Sequence, residues 1–459
     1  MSLFRLKGVR TPHRKNTALM PAVRMPAPQE VVIPMSMHIG APATPLVKAG
    51  DTVCVGDVIA EAGGFVSAPV HASVSGTVKS IGEFLLTSGK KVPCITVVSD
   101  GMMTVSDCVK PPEVVDRESF LNAVRASGSV GLGGAGFPTF VKLNVKDPAQ
   151  VDTVVINGAE CEPYITSDTR TMLDRAEEIE EGIRLLQTYL GIGQFVIGIE
   201  RNKPECIAKM QELAARNTAV KVVSLPSVYP QGAEKVLIYH TTGRTVPAGK
   251  LPLDVGVIVM NCTTVAFLAQ YVRTGMPLVE KCITVDGSAV KCPQNIIAPV
   301  GTSLKDVFAF CGGFREQPAK VLYGGPMMGI AVVSLDAPVI KNTNAVLALD
   351  EQEAKTPSPT ACIRCGACVN HCPMRLDPAG LSRALEREDA AALIKGRVDL
   401  CMECGCCSYI CPASRPLIQQ NRLAKEYLRK KKAREEAREK QKAEAAKAQP
   451  QVQQEEGKQ

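Results

Sequence analysis

The chain has no tryptophan, and aromatic residues make up only 4% of its 459 positions. Proteins that grip nucleic acid combine a basic stripe with stacking aromatics. Here the net charge of +7 arises from 53 basic and 46 acidic residues of mixed order, so no nucleic-acid partner is expected. No apolar run approaches the roughly 20 residues that cross a bilayer. The polar, basic, proline-containing N-terminus also lacks the apolar stretch of a secretory signal. A soluble or peripheral chain is expected. Histidine is scarce, at five residues, and His38 and His71 stand isolated, as core or surface hydrogen-bonders do more often than ligands.

Cysteine, by contrast, is abundant, with eighteen residues. Ten are scattered without framework spacing, which argues against a secreted disulfide scaffold and for reduced thiols. The other eight form two runs: Cys362-x-x-Cys365-x-x-Cys368-x-x-x-Cys372-Pro373, and Cys401-x-x-Cys404-x-x-Cys407-x-x-x-Cys411-Pro412. This is the spacing of a two-cluster bacterial ferredoxin, in which the fourth Cys of each run ligates the other cluster. Cys362, Cys365, Cys368 and Cys411 are thus assigned to one [4Fe–4S] cluster, and Cys401, Cys404, Cys407 and Cys372 to the second. Zinc seldom uses two interleaved four-Cys runs each closed by Cys-Pro. Gly366 and Gly405 allow the backbone to approach inorganic sulfur, and Cys406 falls outside the repeat as a packed thiol.

A chain of this length exceeds one core, so several domains are expected. Residues 1–36 are Pro-rich and read as an extended arm or a mobile end. Residues 37–100 alternate short Val/Ile runs with Gly turns, as a small all-β module does. Residues 115–270 alternate apolar strands (153–157, 195–200, 220–225, 257–261) with helices (118–127, 169–189, 204–216, 233–242), the pattern of a parallel α/β layer. Gly191 and Gly243 sit where C-caps belong. Residues 280–345 return to short strands around a helix at 303–310. A polar linker, 346–358, leads to the cysteine runs at 355–420. The Lys/Glu/Ala-rich tail, 421–459, has oppositely charged residues three and four apart, as a solvated helix does.

Two stretches of the α/β region invite a nucleotide. Gly131, Gly133, Gly134 and Gly136 sit in Gly131-Leu-Gly-Gly-Ala-Gly-Phe-Pro-Thr139, where close backbone approach and free N–H groups suit a phosphate. Asn157-Gly-Ala-Glu160-Cys-Glu162-Pro163 ends a strand, where α/β sheets bind ligands. With Tyr229, Gly232, Glu234, Asn261 and Thr264, these residues resemble the FMN- and NADH-binding subunit of respiratory complex I. The resemblance implies that the glycine loop and Lys142 hold the FMN phosphate. It also implies that Asn157, Asn261 and Thr264 line the flavin and its ribityl chain, that Gly232 and Glu234 belong to the cofactor-binding residues, and that Glu160 and Glu162 face the nicotinamide nucleotide. Leu132, Ala159 and Ala233 stand where that family has an arginine and two acidic residues.

The order of the parts is more specific. Residues 37–100 resemble the barrel-sandwich hybrid of biotinyl and lipoyl carriers, with Gly63-Gly64-Phe65 at the hairpin and no carrier lysine between Lys48 and Lys79. A complex I-like core, a β-grasp unit, a two-cluster ferredoxin-like domain and a basic helical tail follow. This multidomain α/β order is similar to that of the C component of Rnf-type ion-translocating electron-transport complexes. Membership would imply FMN, two [4Fe–4S] clusters and NADH as substrate. It would also imply partners in a membrane-embedded complex, including an iron–sulfur subunit and, indirectly, ferredoxin, at the cytoplasmic face of the bacterial membrane. Two other readings stay open: an electron-transfer adaptor with a degenerate nucleotide site, and a ligand-sensing scaffold in which the clusters are structural.

Overall fold

The computed structural model describes residues 7–86 and 89–448. The first six residues of the expected arm and residues 449–459 of the tail lie outside the described residues. The chain divides into two units, residues 10–356 and residues 1–9 with 357–459.

In the larger unit the N-terminal segment is woven into the fold. Strand β1 (Val23–Arg24) pairs in parallel with a distant strand, Val23 opposite Ile296. β2 (Glu30–Pro34) pairs with β8 (Lys91–Ser99) of the first module, so that module starts earlier than residue 37, within the expected arm. The module consists of β2, β3 (Thr44–Pro45), β4 (Thr52–Val53), β5 (Val58–Glu61), β6 (Val70–His71), β7 (Gly76–Leu85) and β8 (Lys91–Ser99). They form two sheets, β2-β8-β7-β4 and β3-β5-β6. Their inward residues, among them Val31, Ile33, Ile59 and Ile95, are fully buried, as alternation along sandwich strands requires. His38 Nε2 accepts from the N–H of Ala68 at 3.0 Å, the hydrogen-bonding role expected of it.

The α/β core begins with α1 (Arg117–Ala126), capped by Asp116 and Ser119, and the short α2 (Thr139–Leu143). Its sheet, in the order β11-β10-β9-β12, is parallel throughout. It contains β9 (Thr153–Asn157), β10 (Gln194–Glu200), β11 (Val220–Leu225) and β12 (Val257–Asn261). β9 and β12 are near-continuous apolar runs because helices cover both faces of a parallel sheet. The covering helices are α3 (Ser167–Asp174), α4 (Ala176–Leu190), α5 (Pro204–Arg216), α6 (Glu234–Thr242) and α7 (Cys262–Thr274). One helix was expected over 169–189. It is instead broken at Arg175 (φ −130°, ψ 34°), which redirects the chain between α3 and α4. Gly191 and Gly243 cap their helices in the left-handed conformation. At Gly182 a Cβ would lie 2.3 Å from the Val265 carbonyl, so glycine permits the close α4–α7 crossing.

The third module is a mixed six-stranded sheet, β1-β14-β13-β17-β15-β16. It comprises β13 (Glu280–Asp286), β14 (Gln294–Pro299), β15 (Lys320–Tyr323), β16 (Ile330–Ala331) and β17 (Ala345–Leu349), with α8 (Leu304–Phe310) packed on it and α9 (Glu351–Ala354) following. β17 corrects the expected linker at 346–358: Ala345–Leu349 is wholly buried and fills the gap between β13 and β15.

The smaller unit holds α10 (Ala367–Asn370), α11 (Pro378–Glu386), α12 (Ala390–Lys395), α13 (Cys406–Tyr409) and α14 (Leu417–Ala448). Leu417, Asn421 and Ala424 of α14 are buried against this module, whereas residues 429–444 are exposed.

Candidate functional site

The cysteine repeat is a structural repeat. Arg364, Gly366 and Arg375 have positive φ, and so do Glu403, Gly405 and Ser414, each pair offset by the same 39 positions as Cys362 and Cys401. The left-handed residue before the second Cys reverses the chain, and the glycine after it starts a one-turn helix, α10 or α13. The two runs interleave in space. Cys362, Cys365, Cys368 and Cys411 line one cavity of about 390 Å³. Cys372 lines a second with Cys401, Cys404 and Cys407, which encloses about 20 Å³. Among the described residues no three His, Cys, Asp or Glu side chains converge as ligands of one ion would. A cubane needs a different arrangement, since each of its four thiolates holds a different iron. The donor sets fit two such clusters; for the second site the four cysteines, not the volume, carry the fit. The first set is the more accessible, with Cys362 and Cys365 exposed and Cys372, Cys404 and Cys407 buried. Cys406 is 1% exposed, packed as expected.

The second constellation gathers at the C-terminal ends of β9 and β12. Their last residues, Asn157 and Asn261, are register partners. Asn157 Nδ2 donates to the Gly232 carbonyl at 2.9 Å. Asn261 caps α7 by accepting from the Thr263 N–H, and its Nδ2 donates to Asp168 at 2.7 Å. The glycine turn packs on this edge: Leu132 N–H donates to Thr264 Oγ1 at 3.0 Å. A Cβ on Gly133 would lie 2.3 Å from Asn261 Nδ2. Gly133, Gly134 and Ala135 are exposed, and among the described residues their N–H groups have no protein acceptor. Gly134 has open space where a Cβ would stand, and Asn342 Nδ2 holds its carbonyl at 2.9 Å. Free N–H groups over a glycine turn at the ends of parallel strands fit the phosphate of a flavin nucleotide. The structure therefore brings together Gly131, Gly133, Gly134, Gly136, Asn157, Gly232, Asn261 and Thr264. Lys142 is used differently from the expectation: it donates to the Val259 carbonyl at 2.9 Å and lies 3.7 Å from Glu234.

Glu160 and Glu162 also depart from the expected contact with a nicotinamide nucleotide. Glu160, at φ +47°, turns its carboxylate onto the start of α3, accepting from Asp168 N–H at 2.6 Å and Thr169 Oγ1 at 2.5 Å. Burial pushes its pKa up, against the pull of Lys15 and Lys203. Its carboxylate is thus occupied in positioning the 158–166 loop. Glu162 reaches the third module, where its two oxygens accept from Met327 N–H at 3.0 Å and Met328 N–H at 2.8 Å. Gly325 makes room, since a Cβ there would lie 2.2 Å from Glu162 Oε2. Burial raises Glu162 to about 7, although the two N–H groups favour its charged form.

Sequence reasoning missed Lys15. The ammonium of this half-buried residue donates to the carbonyls of Glu160, Glu162 and Ile165 at 2.8, 2.8 and 2.6 Å, fixing the loop. Burial lowers its pKa to about 8. Lys203 adds a bond to the Ala159 carbonyl at 2.7 Å and pairs with Glu200 at 3.3 Å. A basic residue in a Pro-rich arm carries no sequence signal for this role. The Gly-Gly-Pro-Met-Met-Gly run at 324–329 does carry one, because two adjacent glycines mark a close backbone approach.

Four family models match the chain in order: "RnfC Barrel sandwich hybrid domain" over residues 4–102, "Nuo51 FMN-binding domain" over 124–270, "SLBB domain" over 282–331 and "4Fe-4S dicluster domain" over 355–412. Together with the geometry they define an oxidoreductase subunit with FMN and two [4Fe–4S] clusters as its cofactors. The C component of the Na(+)-translocating ferredoxin:NAD(+) oxidoreductase complex of Acetobacterium woodii is 44% identical, over 83% of this chain and 87% of that protein. The proton-translocating counterpart of Clostridium ljungdahlii is 41% identical, over 80% and 81%. The C component of the ion-translocating oxidoreductase complex of Rhodobacter capsulatus is 40% identical, over 92% and 82%. The chain belongs to the RnfC family, the C components of the Rnf ion-translocating oxidoreductase complexes. Among solved structures, an NAD+-reducing [NiFe]-hydrogenase aligns over 60% of this chain and 54% of its own, with 20% identity and a TM-score of 0.46.

Proposed function

We propose that this subunit takes electrons from NADH at the open end of the parallel sheet and delivers them to the two cysteine-held clusters. The observation that carries the reading is the exposed 133–135 turn, whose unengaged N–H groups stand beside two paired strand-end asparagines. When bound there, FMN supplies the conversion of a two-electron hydride donor to one-electron acceptors. The protein's part is placement. The N–H groups of Gly133, Gly134 and Ala135 receive the phosphate, while Asn157 and Asn261 line the adjoining strand ends. Asn157, held by Gly232, and Asn261, held by Asp168, are fixed before any ligand arrives, which lowers the ordering cost of binding. Glu160, Lys15 and Lys203 hold the loop between β9 and α3, and Glu162 ties it to the third module.

That Cys372 lines the second cavity with Cys401, Cys404 and Cys407 supports the interleaved ligation, and we read the more accessible Cys362 set as the one that meets the next electron carrier. The relatives are named as subunits of ion-translocating complexes, and among the described residues no helix is long and apolar enough to cross a membrane. We therefore read the chain as peripheral, at the cytoplasmic face of the membrane, exchanging electrons with an iron–sulfur subunit of the complex and ultimately with ferredoxin. A second reading, an adaptor with a degenerate nucleotide site, draws on Leu132, Ala159 and Ala233 and on the engagement of Lys142 by Val259. Flavin binding separates the two. The flavin-depleted chain should bind FMN, and Gly133→Ala, whose Cβ collides with Asn261, should weaken that binding at least tenfold. Absence of FMN binding by the unsubstituted chain would leave the adaptor.

A further inference from the structure

A cavity of about 340 Å³ lies in the larger unit between α3 and α7 on one side and β13 and β14 on the other, with Pro21 and Ala22 at its edge. None of the residues expected to hold the flavin lines it. It runs along the Thr263, Phe267 and Gln270 face of α7, and from the glycine turn only Leu132 reaches it. Its size is at the small end of ligand pockets, which run from about 300 to 1,000 Å³.

The lining divides by chemistry. Leu132, Phe267, Leu278 and Ile297 give apolar walls, and Arg170, Arg175 and Lys281 bring cations. Arg170 is paired with Asp174, and Glu280 with Arg24. Arg175 donates to neutral oxygens, Gln270 Oε1 at 2.6 Å and the Ala266 carbonyl at 3.5 Å. Lys281 is the anomaly. It is 3% exposed, and among the described residues its ammonium makes no hydrogen bond or ion pair. Asp168 acts on it only through space, because the Asp168 oxygens are taken by Asn261 at 2.7 Å and Thr263 at 2.8 Å. An ammonium on so nearly buried a side chain, opening only onto a cavity and without a partner, is costly, and proteins keep such groups where a charge or ligand meets them.

We propose that this cavity binds a small organic anion, one carboxylate or phosphate on an apolar body. The anionic head lies between Lys281 and Arg175, and the body rests against Phe267 and Leu278. The site shares only Leu132 with the glycine turn and none of the residues proposed to hold FMN, so it stands or falls independently of the reading above.

Calorimetric titration of the full, cofactor-loaded chain with benzoate, phenyl phosphate and the neutral benzyl alcohol tests it. At least one anion should bind at one site per chain, at least tenfold more tightly than benzyl alcohol; the tighter of the two identifies carboxylate or phosphate. Lys281→Met should weaken that anion at least tenfold with the melting temperature retained, and Lys281→Arg should restore it. Should Lys281→Met fail to fold, Arg175→Gln serves the same comparison. Absence of saturable binding by both anions, equal binding of benzyl alcohol, or affinity unchanged in the lysine and arginine variants would overturn the proposal.

Discussion

The tie between Glu162 and the 324–329 loop should loosen as pH rises. Burial lifts this carboxyl from 4.5 to about 7 when the loop is closed, whereas in an opened loop it titrates as an ordinary glutamate. The closed state then holds its proton over a range in which the open state has lost it. The sign follows from linkage: closure is most favoured below the ordinary glutamate range and loses that contribution as pH climbs through about 7. Across pH 5.5 to 8 the difference amounts to about 2 kcal/mol, roughly a 30-fold change in the opening equilibrium. Hydrogen exchange at the Met327 and Met328 amides reads it directly, once the intrinsic pH dependence of exchange is removed. Protection should fall about 30-fold over that window. Glu162→Gln, which keeps one acceptor and cannot titrate, should flatten the profile. Protection that is level or rises with pH in the unsubstituted chain would refute the reasoning, as would an unchanged slope in Glu162→Gln.

Three further outcomes follow from the geometry. Lys15→Met removes three charge-assisted bonds to backbone carbonyls, offset in part by relief of a buried charge; the α/β module should lose about 2–4 kcal/mol, read by calorimetric melting, and an unchanged melt would contradict the assigned role. Cys372→Ser should remove the cluster shared with the second run and leave the first, so that iron falls from about eight to about four per chain; loss of the Cys362 set's signal instead would reverse the interleaved assignment. Gly182→Ala forces a methyl to 2.3 Å from the Val265 carbonyl and should cost about 1–3 kcal/mol through strain at the α4–α7 crossing, with a destabilisation under 0.5 kcal/mol in the same melt arguing against that close contact.

Much of this was legible in the sequence because the signals were local. The strands Thr153–Asn157 and Val257–Asn261 are apolar runs of parallel-sheet type, and the cysteine spacing anticipates which thiols line each of the two cavities. Reading failed where structure depends on distant partners. The expected helix over 169–189 has no local stop signal at Arg175, where the chain breaks and the guanidinium reaches Gln270 and Ala266 of α7. Ala345–Leu349 is five residues long beside a polar, proline-containing stretch, so its place between two other strands has no local mark. The carboxylates of Glu160 and Glu162 sit at a strand end, as ligand-binding residues do. Their partners, the Asp168 and Thr169 amides and a loop more than 160 positions away, are set by tertiary structure alone. Half-buried Lys15 and buried Lys281 read as ordinary surface charges until their surroundings are known.

In the proposed function one chain carries electrons from NADH to both cysteine-held clusters. An anaerobic titration of the FMN- and iron–sulfur-loaded chain with NADH, followed by visible absorbance and electron paramagnetic resonance, tests it most directly. The flavin band should bleach, with signals of reduced [4Fe–4S] clusters appearing alongside. Clusters that dithionite reduces but NADH leaves oxidised, with no change in the flavin band, would contradict it.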